Sequence, residues 1–473
     1  MLENLRTLTQ RLVGQVLPPP RARTPPQVSG GLPGVGHVVE FGRKPIELLT
    51  RGFREHGEIF NLSLAGRTAT VLIGPEANGV FFGAPDSQLS PREVYRLTVP
   101  IFGRGIAYDA EPEVMREQLG FLMPALREEQ LRGYAAQMAA ETHQQLATWG
   151  EEGVVDLVEA CAELTTFISS HCLLGREFRE HLSAEVGALY RELEAALSPL
   201  AFFSPYLPIP LFRRRDQARA RMVELIDQVI AERRARGVEE EDFLQALMIA
   251  RYQDGRALTT DEISGLLLTI LFAGHRTSAA LAAWTGVLLL QHAHHLPALL
   301  EEQLAVHGDD GAISFDSLQR LPLLERVVLE AGRLRPPLVL LMRNVLQDVT
   351  YKQYVVPAGQ LLMVSPAVSH HDPITFVDPE RFDPERFAPP RHEDQRPFSL
   401  ITWGGGRHAC LGKHFALMQV KAVWSIWLRE LELELLDQQP APDGPGLVVG
   451  PRPPARVHYR RRRRRLSEVV SGG

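Results

Sequence analysis

Between Ile263 and Leu290 the chain reads ISGLLLTILFAGHRTSAALAAWTGVLLL, an apolar stretch long enough to cross a bilayer. His275 and Arg276 stand near its middle, where an ionised side chain is costly in lipid. The stretch therefore predicts a helix buried through the core of a large domain rather than a membrane span. Such a helix needs a wide core to cover it. The 473 residues can supply one, either as one unusually big domain or as two or three ordinary ones. A formal charge of −6, from 51 basic and 57 acidic residues, gives no sign of a nucleic-acid partner.

The flanking patterns fill in a mainly α chain with a smaller β portion. PPPRARTPPQVSGGLPGVG, from Pro18 to Gly36, is too rich in Pro and Gly for regular structure. Before it, Leu2, Leu5, Leu8, Leu12 and Val16 fall at helical spacing, as a helix end packed on the protein or a peripheral membrane contact would. No secretory signal is visible. IFNLSLAG and TATVLIG read as a strand pair turning near Gly66. Helical patterning then dominates from about Glu113 to Leu300, and RRRDQARARMVELIDQVIAERRARG ends at Gly237, a suitable C-cap. DVTYKQYVVPAGQLLMVS returns to strands, with a turn at Pro357-Ala358-Gly359, and ALMQVKAVWSIWLREL is a second long helix. The expected organisation is a lead over 1–36, one domain over 37–459 and an Arg-rich polar tail over 460–473.

TWGGGRHACLGKHF, from Thr402 to Phe415, surrounds Cys410, one of three cysteines, with glycines and histidines. A zinc ligand, a redox thiol and a haem ligand all suit such a cysteine. A structural zinc site takes four ligands, usually from two close-spaced pairs. His408, Cys410 and His414 offer three, and Cys161 and Cys172 lie far upstream. A redox thiol needs a resolving partner or an activating dyad, and none is adjacent. Three cysteines cannot supply the four ligands of an iron–sulfur cluster, nor a disulfide scaffold. A haem thiolate accounts for more of the residues. Gly404, Gly405, Gly406 and Gly412 allow a loop that aims amides at the sulfur and lies against a flat cofactor. Arg407 and His408 can pair with carboxylates at its edge, and the helix beginning after Cys410 turns its positive end toward the thiolate.

WGGGRHACLG resembles the cysteine loop of the cytochrome P450 family, with Trp403 where Phe is usual. Three further stretches resemble that family in the same order. FAGHRTSA matches its oxygen-binding groove, so Ala273 and Gly274 would leave room beside the haem and Thr277 would offer its hydroxyl to dioxygen. A lone Thr in a helix otherwise bonds back to the carbonyl four residues earlier. LEAGRLRPP, with Glu330 and Arg333 one turn apart, and FDPERF, with Arg386, match its Glu–Arg–Arg network, a fold-specifying element.

EVYRLTVPIFGRGIAYD, from Glu93 to Asp109, resembles the sterol 14α-demethylase branch, as does the basic residue in AGHRTS. The resemblance implies a P450 fold of one large haem-binding domain holding haem b, with Cys410 as the iron ligand. It implies propionate partners at Tyr95, Tyr108, Arg116, Arg343 and His408, and pocket walls at Leu97, Phe102, Phe202, Ala273, Leu338, Leu340, Met342 and Val448. Leu97 resembles the residue of animal and fungal enzymes, which accept 4,4-dimethyl sterols, whereas a ring there would crowd the second methyl. Arg276 stands where the branch usually has His. An arginine does not titrate near neutral pH, so either His275 or an ordered water chain would carry protons, or the activity would be altered.

These resemblances imply a monooxygenase that takes a 14α-methyl group through three O2-dependent oxidations to formate. Its electrons would come from NAD(P)H through a separate ferredoxin or flavoprotein reductase. Arg407, Lys413 and Lys421 are candidates for the docking face, and the Arg460 to Arg465 run for a partner, for phospholipid or for a solvated tail. A monomeric, cytoplasmic enzyme is expected. The alternatives are a haem-thiolate oxygenase of another terpenoid or lipid and, more distantly, a haem sensor or a sterol carrier.

Overall fold

The computed structural model describes residues 23–180, 183–237, 242–437, 440–444 and 446–471. The helical segment expected near Leu2–Val16 lies outside them. Seven helices position the site: α1 (Pro112–Leu122), α2 (Glu128–Ala147), α3 (Leu157–Ser169), α4 (Pro210–Arg236), α5 (Thr260–Gln291), α6 (Pro322–Leu334) and α7 (Lys413–Glu430). The apolar stretch is α5, and it packs against α3, α4, α6 and α7. Its start is fixed by a capping box, in which Thr259 and Glu262 satisfy each other's backbone amides, a device worth about 1 kcal/mol. Among the described residues, two helices are long and apolar enough to span a membrane, one from Leu157 to Leu174 and the other α5, and both are mostly buried inside the protein.

The strands are β1 (Ile59–Leu64), β2 (Arg67–Leu72), β3 (Leu89–Ser90), β4 (Glu152–Asp156), β5 (Leu341–Val345), β6 (Val349–Tyr351), β7 (Tyr354–Val356), β8 (Leu361–Val364), β9 (Leu431–Leu435) and β10 (Arg456–Arg461). They form a five-stranded sheet ordered β1-β2-β8-β5-β3, a three-stranded sheet β4-β10-β9 and the hairpin β6-β7. β1 and β2 pair antiparallel about the expected turn, from Ile59–Leu72 to Leu64–Arg67. α4 ends on left-handed Gly237, as its sequence requires. The Pro/Gly-rich lead contributes only isolated bridges, such as Gln27 to Asn61 and Gly36 to Leu64.

Two features depart from the sequence reading. β4 interrupts the helical region, because its partner β10 lies some 300 residues away and no local pattern announces the pairing. The expected tail is also built in from residue 460. Arg460 and Arg461 belong to β10, paired with Glu432 and Leu431 across the sheet, and Leu466–Ser471 is a helix with Leu466 buried. Ion pairs to Glu432 and Glu430 absorb Arg460 and Arg461, and Arg462 donates to the Leu428 carbonyl. Arg463, Arg464 and Arg465 stay exposed.

Candidate functional site

The Cys410 loop is shaped by two glycines. Gly404 and Gly406 have φ of 67° and 60°, the left-handed region that other residues enter at a cost. A Cβ on Gly406 would also lie 2.1 Å from the Phe82 carbonyl oxygen. Gly405 is extended against Phe82 and Phe398, and Gly412 caps α7. The loop closes where the Cys410 amide donates to the Trp403 carbonyl at 2.8 Å. Burial pushes the Cys410 thiol up, while the Gly412 amide and Lys413 pull it down. Yet Cys410 is solvent-accessible. The two observations agree if the sulfur faces a recess walled by protein rather than open solvent. Cys161 and Cys172 are buried and their thiols pushed well up, which makes them inert. Among the described residues no group of three His, Cys, Asp or Glu side chains could hold a bare metal ion.

Beside the loop lies a cluster of donors. Arg343, on β5, is 4% exposed, donates to the Phe81 carbonyl at 3.2 Å and sits 4.6 Å over the Phe81 ring. No carboxylate among the described residues forms an ion pair with it, and burial lowers its pKa. Tyr95 and Tyr108 stack with centroids 4.5 Å apart, and burial raises both phenols. Tyr108 lies 6.1 Å from the His408 ring and within electrostatic reach of Arg343, Cys410 and Asp86. His408 Nε2 donates to Asp86 at 2.6 Å. Arg116 stands apart, exposed on α1 beside a recess of about 470 Å³ shared with Arg251 and Gln253.

The middle of α5 is opened. Ala273 is exposed, and Phe272, Gly274, Arg276 and Thr277 are half-buried, in a helix otherwise packed on all sides. Thr277 Oγ1 donates to the Ala273 carbonyl at 2.7 Å, the local back-bond expected of a lone helical Thr. His275 points into the core toward α3. Thr166 spends its hydrogen on the Ala162 carbonyl, so His275 Nε2–H donates to Thr166 Oγ1 at 2.6 Å and to Ala162 O at 3.2 Å. Its Nδ1 is buried without a partner, and burial lowers its pKa to about 4. Arg276 reaches Glu194 at 3.4 Å and Asp443 at 3.5 Å. Burial raises both of those carboxyls. Neither Glu194 nor Asp443 carries a local motif; only long-range folding brings them to α5.

The remaining wall residues gather unevenly. Phe102 meets Phe272 edge-on at 5.7 Å, Phe272 meets Tyr190 at 4.5 Å and Tyr190 meets His275 at 4.7 Å. Leu340 and Met342 are half-buried on the same small core as Tyr95. The Val449 amide donates to the Pro337 carbonyl, which brings Val448 beside Leu338. Leu97 packs with Ala196, Ala201 and Phe212. Phe202 is 38% exposed.

Below the loop, Glu330, Arg333 and Arg386 are fully buried. Glu330 accepts from Arg333 at 2.7 and 2.9 Å, from Arg386 at 2.9 Å and from the Asp383 amide at 2.9 Å. Carbonyls of His370, Val377 and Arg381 take the remaining guanidinium hydrogens, with Glu393 2.6 Å from Arg386. His370 links this network to the loop, since its Nε2 accepts from the Ile401 amide at 2.9 Å. One expected docking cation is corrected here. Lys421 is 2% exposed and paired with Glu325 at 2.7 Å, because it lies on the face of α7 that packs toward α6. Arg407 and Lys413 are exposed. Trp403 Nε1, buried without an acceptor, is a further unsatisfied group beside the cysteine.

These residues fit a haem. A recessed thiol carrying an amide donor suits the iron, and a buried guanidinium with no ion-paired carboxylate suits a propionate. A family model described as Cytochrome P450 matches residues 25–458. An obtusifoliol 14-alpha demethylase of Sorghum bicolor is 40% identical over 94% of this chain and 92% of its own length. A sterol 14alpha-demethylase of Mycobacterium tuberculosis is 40% identical over 92% and 98%, respectively. A lanosterol 14-alpha demethylase of Bos taurus is 35% identical over 95% and 91%. Among solved structures, retinoic acid bound cyanobacterial CYP120A1 superposes with a TM-score of 0.83 at 24% identity, over 93% of this chain and all of that one.

Proposed function

The chain belongs to the cytochrome P450 family, and from that premise we propose that it removes the 14α-methyl group of a lanosterol-like sterol precursor. Three successive oxidations, each consuming O2, would carry the methyl carbon to formate and leave a 14,15 double bond. One observation carries the reading: a solvent-accessible Cys410, in a loop shaped by glycines, beside a cluster of donors in which the described residues place one carboxylate, Asp86. The curated relatives supply the sterol.

Haem b bound through Cys410 would supply reductive activation of dioxygen, with electrons from NAD(P)H through a separate ferredoxin or flavoprotein reductase. The chain's own residues bind, orient and move protons. The Gly412 amide tempers the thiolate charge. Arg343, His408, Tyr95 and Tyr108 hold the cofactor's carboxylates, while Arg116, exposed on α1 beside a separate recess, is not part of that set. Thr277 donates its hydrogen to Ala273, so its oxygen is left to accept one. Glu194 and Asp443, ion-paired with Arg276, hold protons more readily than ordinary carboxylates because they are buried. This assigns proton entry to the Glu194 side of α5; His275, turned to α3, serves packing. Leu97 leaves room for a second C4 methyl, and Phe102, Ala273, Leu338, Leu340, Met342, Val448 and Phe202 line the apolar chamber. Arg407 and Lys413 form the basic docking face. We read the protein as a cytoplasmic monomer.

Lanosterol titrated into the ferric holoprotein should shift the Soret band, and obtusifoliol, named for the plant relatives, should bind more weakly. Turnover with NADPH, ferredoxin and its reductase should give a 14-demethylated sterol and formate. A folded, thiolate-ligated protein that yields neither would overturn the catalytic reading.

A further inference from the structure

The donor cluster beside Cys410 contains one anion that no sequence motif announces. Asp86 follows the helix Pro75–Gly83 and is held in a tight turn, with the Gln88 and Leu89 amides both on the Pro85 carbonyl at 2.9 Å. Its carboxylate lies 2.6 Å from His408 Nε2, with the two side chains only 16% and 9% exposed. Its carboxylate also acts electrostatically on the Arg343 guanidinium and favours its charged form. The six residues from Phe81 to Asp86 touch the site three times. The Phe81 carbonyl and ring hold Arg343, the Phe82 carbonyl meets Gly406, and Asp86 holds His408.

We propose that Asp86 is a positioning residue of the haem pocket: its carboxylate anchors the His408 imidazole and sets a fixed negative charge at the cofactor's carboxylate edge. The proposal rests on the haem reading above. With Nε2–H donated to Asp86, the imidazole cannot swing about its Cβ–Cγ bond without breaking a charge-assisted hydrogen bond. Nδ1 has no protein partner among the described residues, which leaves it to face the cofactor. In a poorly solvated site, a fixed anion favours the ferric over the ferrous state, because reduction adds an electron near a charge that little water screens. Asp86 therefore acts in two ways: it holds the cofactor through His408, and it lowers the reduction potential directly.

The test uses the holoenzyme and two variants, Asp86→Asn and Asp86→Glu. The midpoint potential is read by spectroelectrochemical titration and haem loss by transfer to apomyoglobin. Asp86→Asn is close to isosteric and should raise the potential while speeding haem loss on the order of tenfold, the loss of one charge-assisted bond. Asp86→Glu keeps the charge and should return the potential toward the parent value, even if haem loss stays faster. A potential unchanged in Asp86→Asn would overturn the proposal, including when thermal stability falls, because a merely structural contact moves stability alone. A parent protein that binds no haem through thiolate would instead sink the family reading of the site, a separate outcome.

Discussion

Two buried arginine clusters flank the cysteine loop, and they differ in how their hydrogen bonds are filled. In one, Glu330 and Glu393 together neutralise Arg333 and Arg386, and backbone carbonyls take most of the remaining donors. In the other, Arg343 is almost as deeply buried but reaches only a carbonyl and a ring, while His408 leans on Asp86. A filled network holds chain segments in register whether or not a ligand is present. A half-filled one makes folding less favourable until a ligand brings the missing charge. The difference separates the cluster that specifies the fold from the one that, in the function proposed above, takes the cofactor's carboxylates.

The sharpest way to break this comparison is Glu330→Gln. It leaves Arg333 buried without a charge partner and Arg386 with Glu393 alone, and should cost roughly 3–5 kcal/mol in urea unfolding of the haem-free chain. A change below about 1 kcal/mol would mean the closed cluster does not hold the fold. Arg343→Met should do the opposite. Removing a buried cation that has no ion-paired carboxylate among the described residues should leave haem-free stability within about 1 kcal/mol of the parent or raise it. Haem transfer to apomyoglobin should quicken by at least about tenfold. Equal losses of haem-free stability in the two variants would erase the distinction.

Acid probes the same contrast at the level of single groups. His275 and His370 are lowered to about 4 and about 3, chiefly by burial. The unfolded chain binds those protons near the ordinary value of about 6.5, before the folded chain does. Stability is therefore fully present above that value and is lost as pH falls toward the folded values, on the order of 3 kcal/mol for His275 and somewhat more for His370. His275→Gln should flatten the dependence between about pH 6.5 and about pH 4, as measured by urea midpoints. Carboxyls raised by burial, such as Glu194, act in the other direction but cancel between parent and variant. The smallest effect is expected at Trp403→Phe. It removes an indole N–H with no acceptor but also some buried ring, and should change stability by no more than about 1 kcal/mol.

Much of this was legible along the chain. The apolar run with central His275-Arg276 required a buried helix, and the glycines about Cys410 required a tight loop, because both follow from local backbone and side-chain chemistry. Glu330, Arg333 and Arg386 could be named by their resemblance to a family pattern, although only the fold shows the carboxylate shared between them. Lys421 was misread because a lysine near a docking loop looks exposed until the facing helix is placed. Asp86, Glu194 and Asp443 were invisible, since each becomes significant only beside a residue far away in sequence.

The sequence by itself determined the helix through the core, the Cys410 loop and the family, because periodicity, glycine φ and motif spacing are local properties of the chain. Only the tertiary structure decided which polar groups are filled. Thr277 turned out to bond its own helix, His275 to face α3, Arg276 to sit between two carboxyls, and Arg343 to lack an ion-paired carboxylate. Hydrogen-bond satisfaction depends on which distant segments fold against one another, and no window of sequence contains both partners.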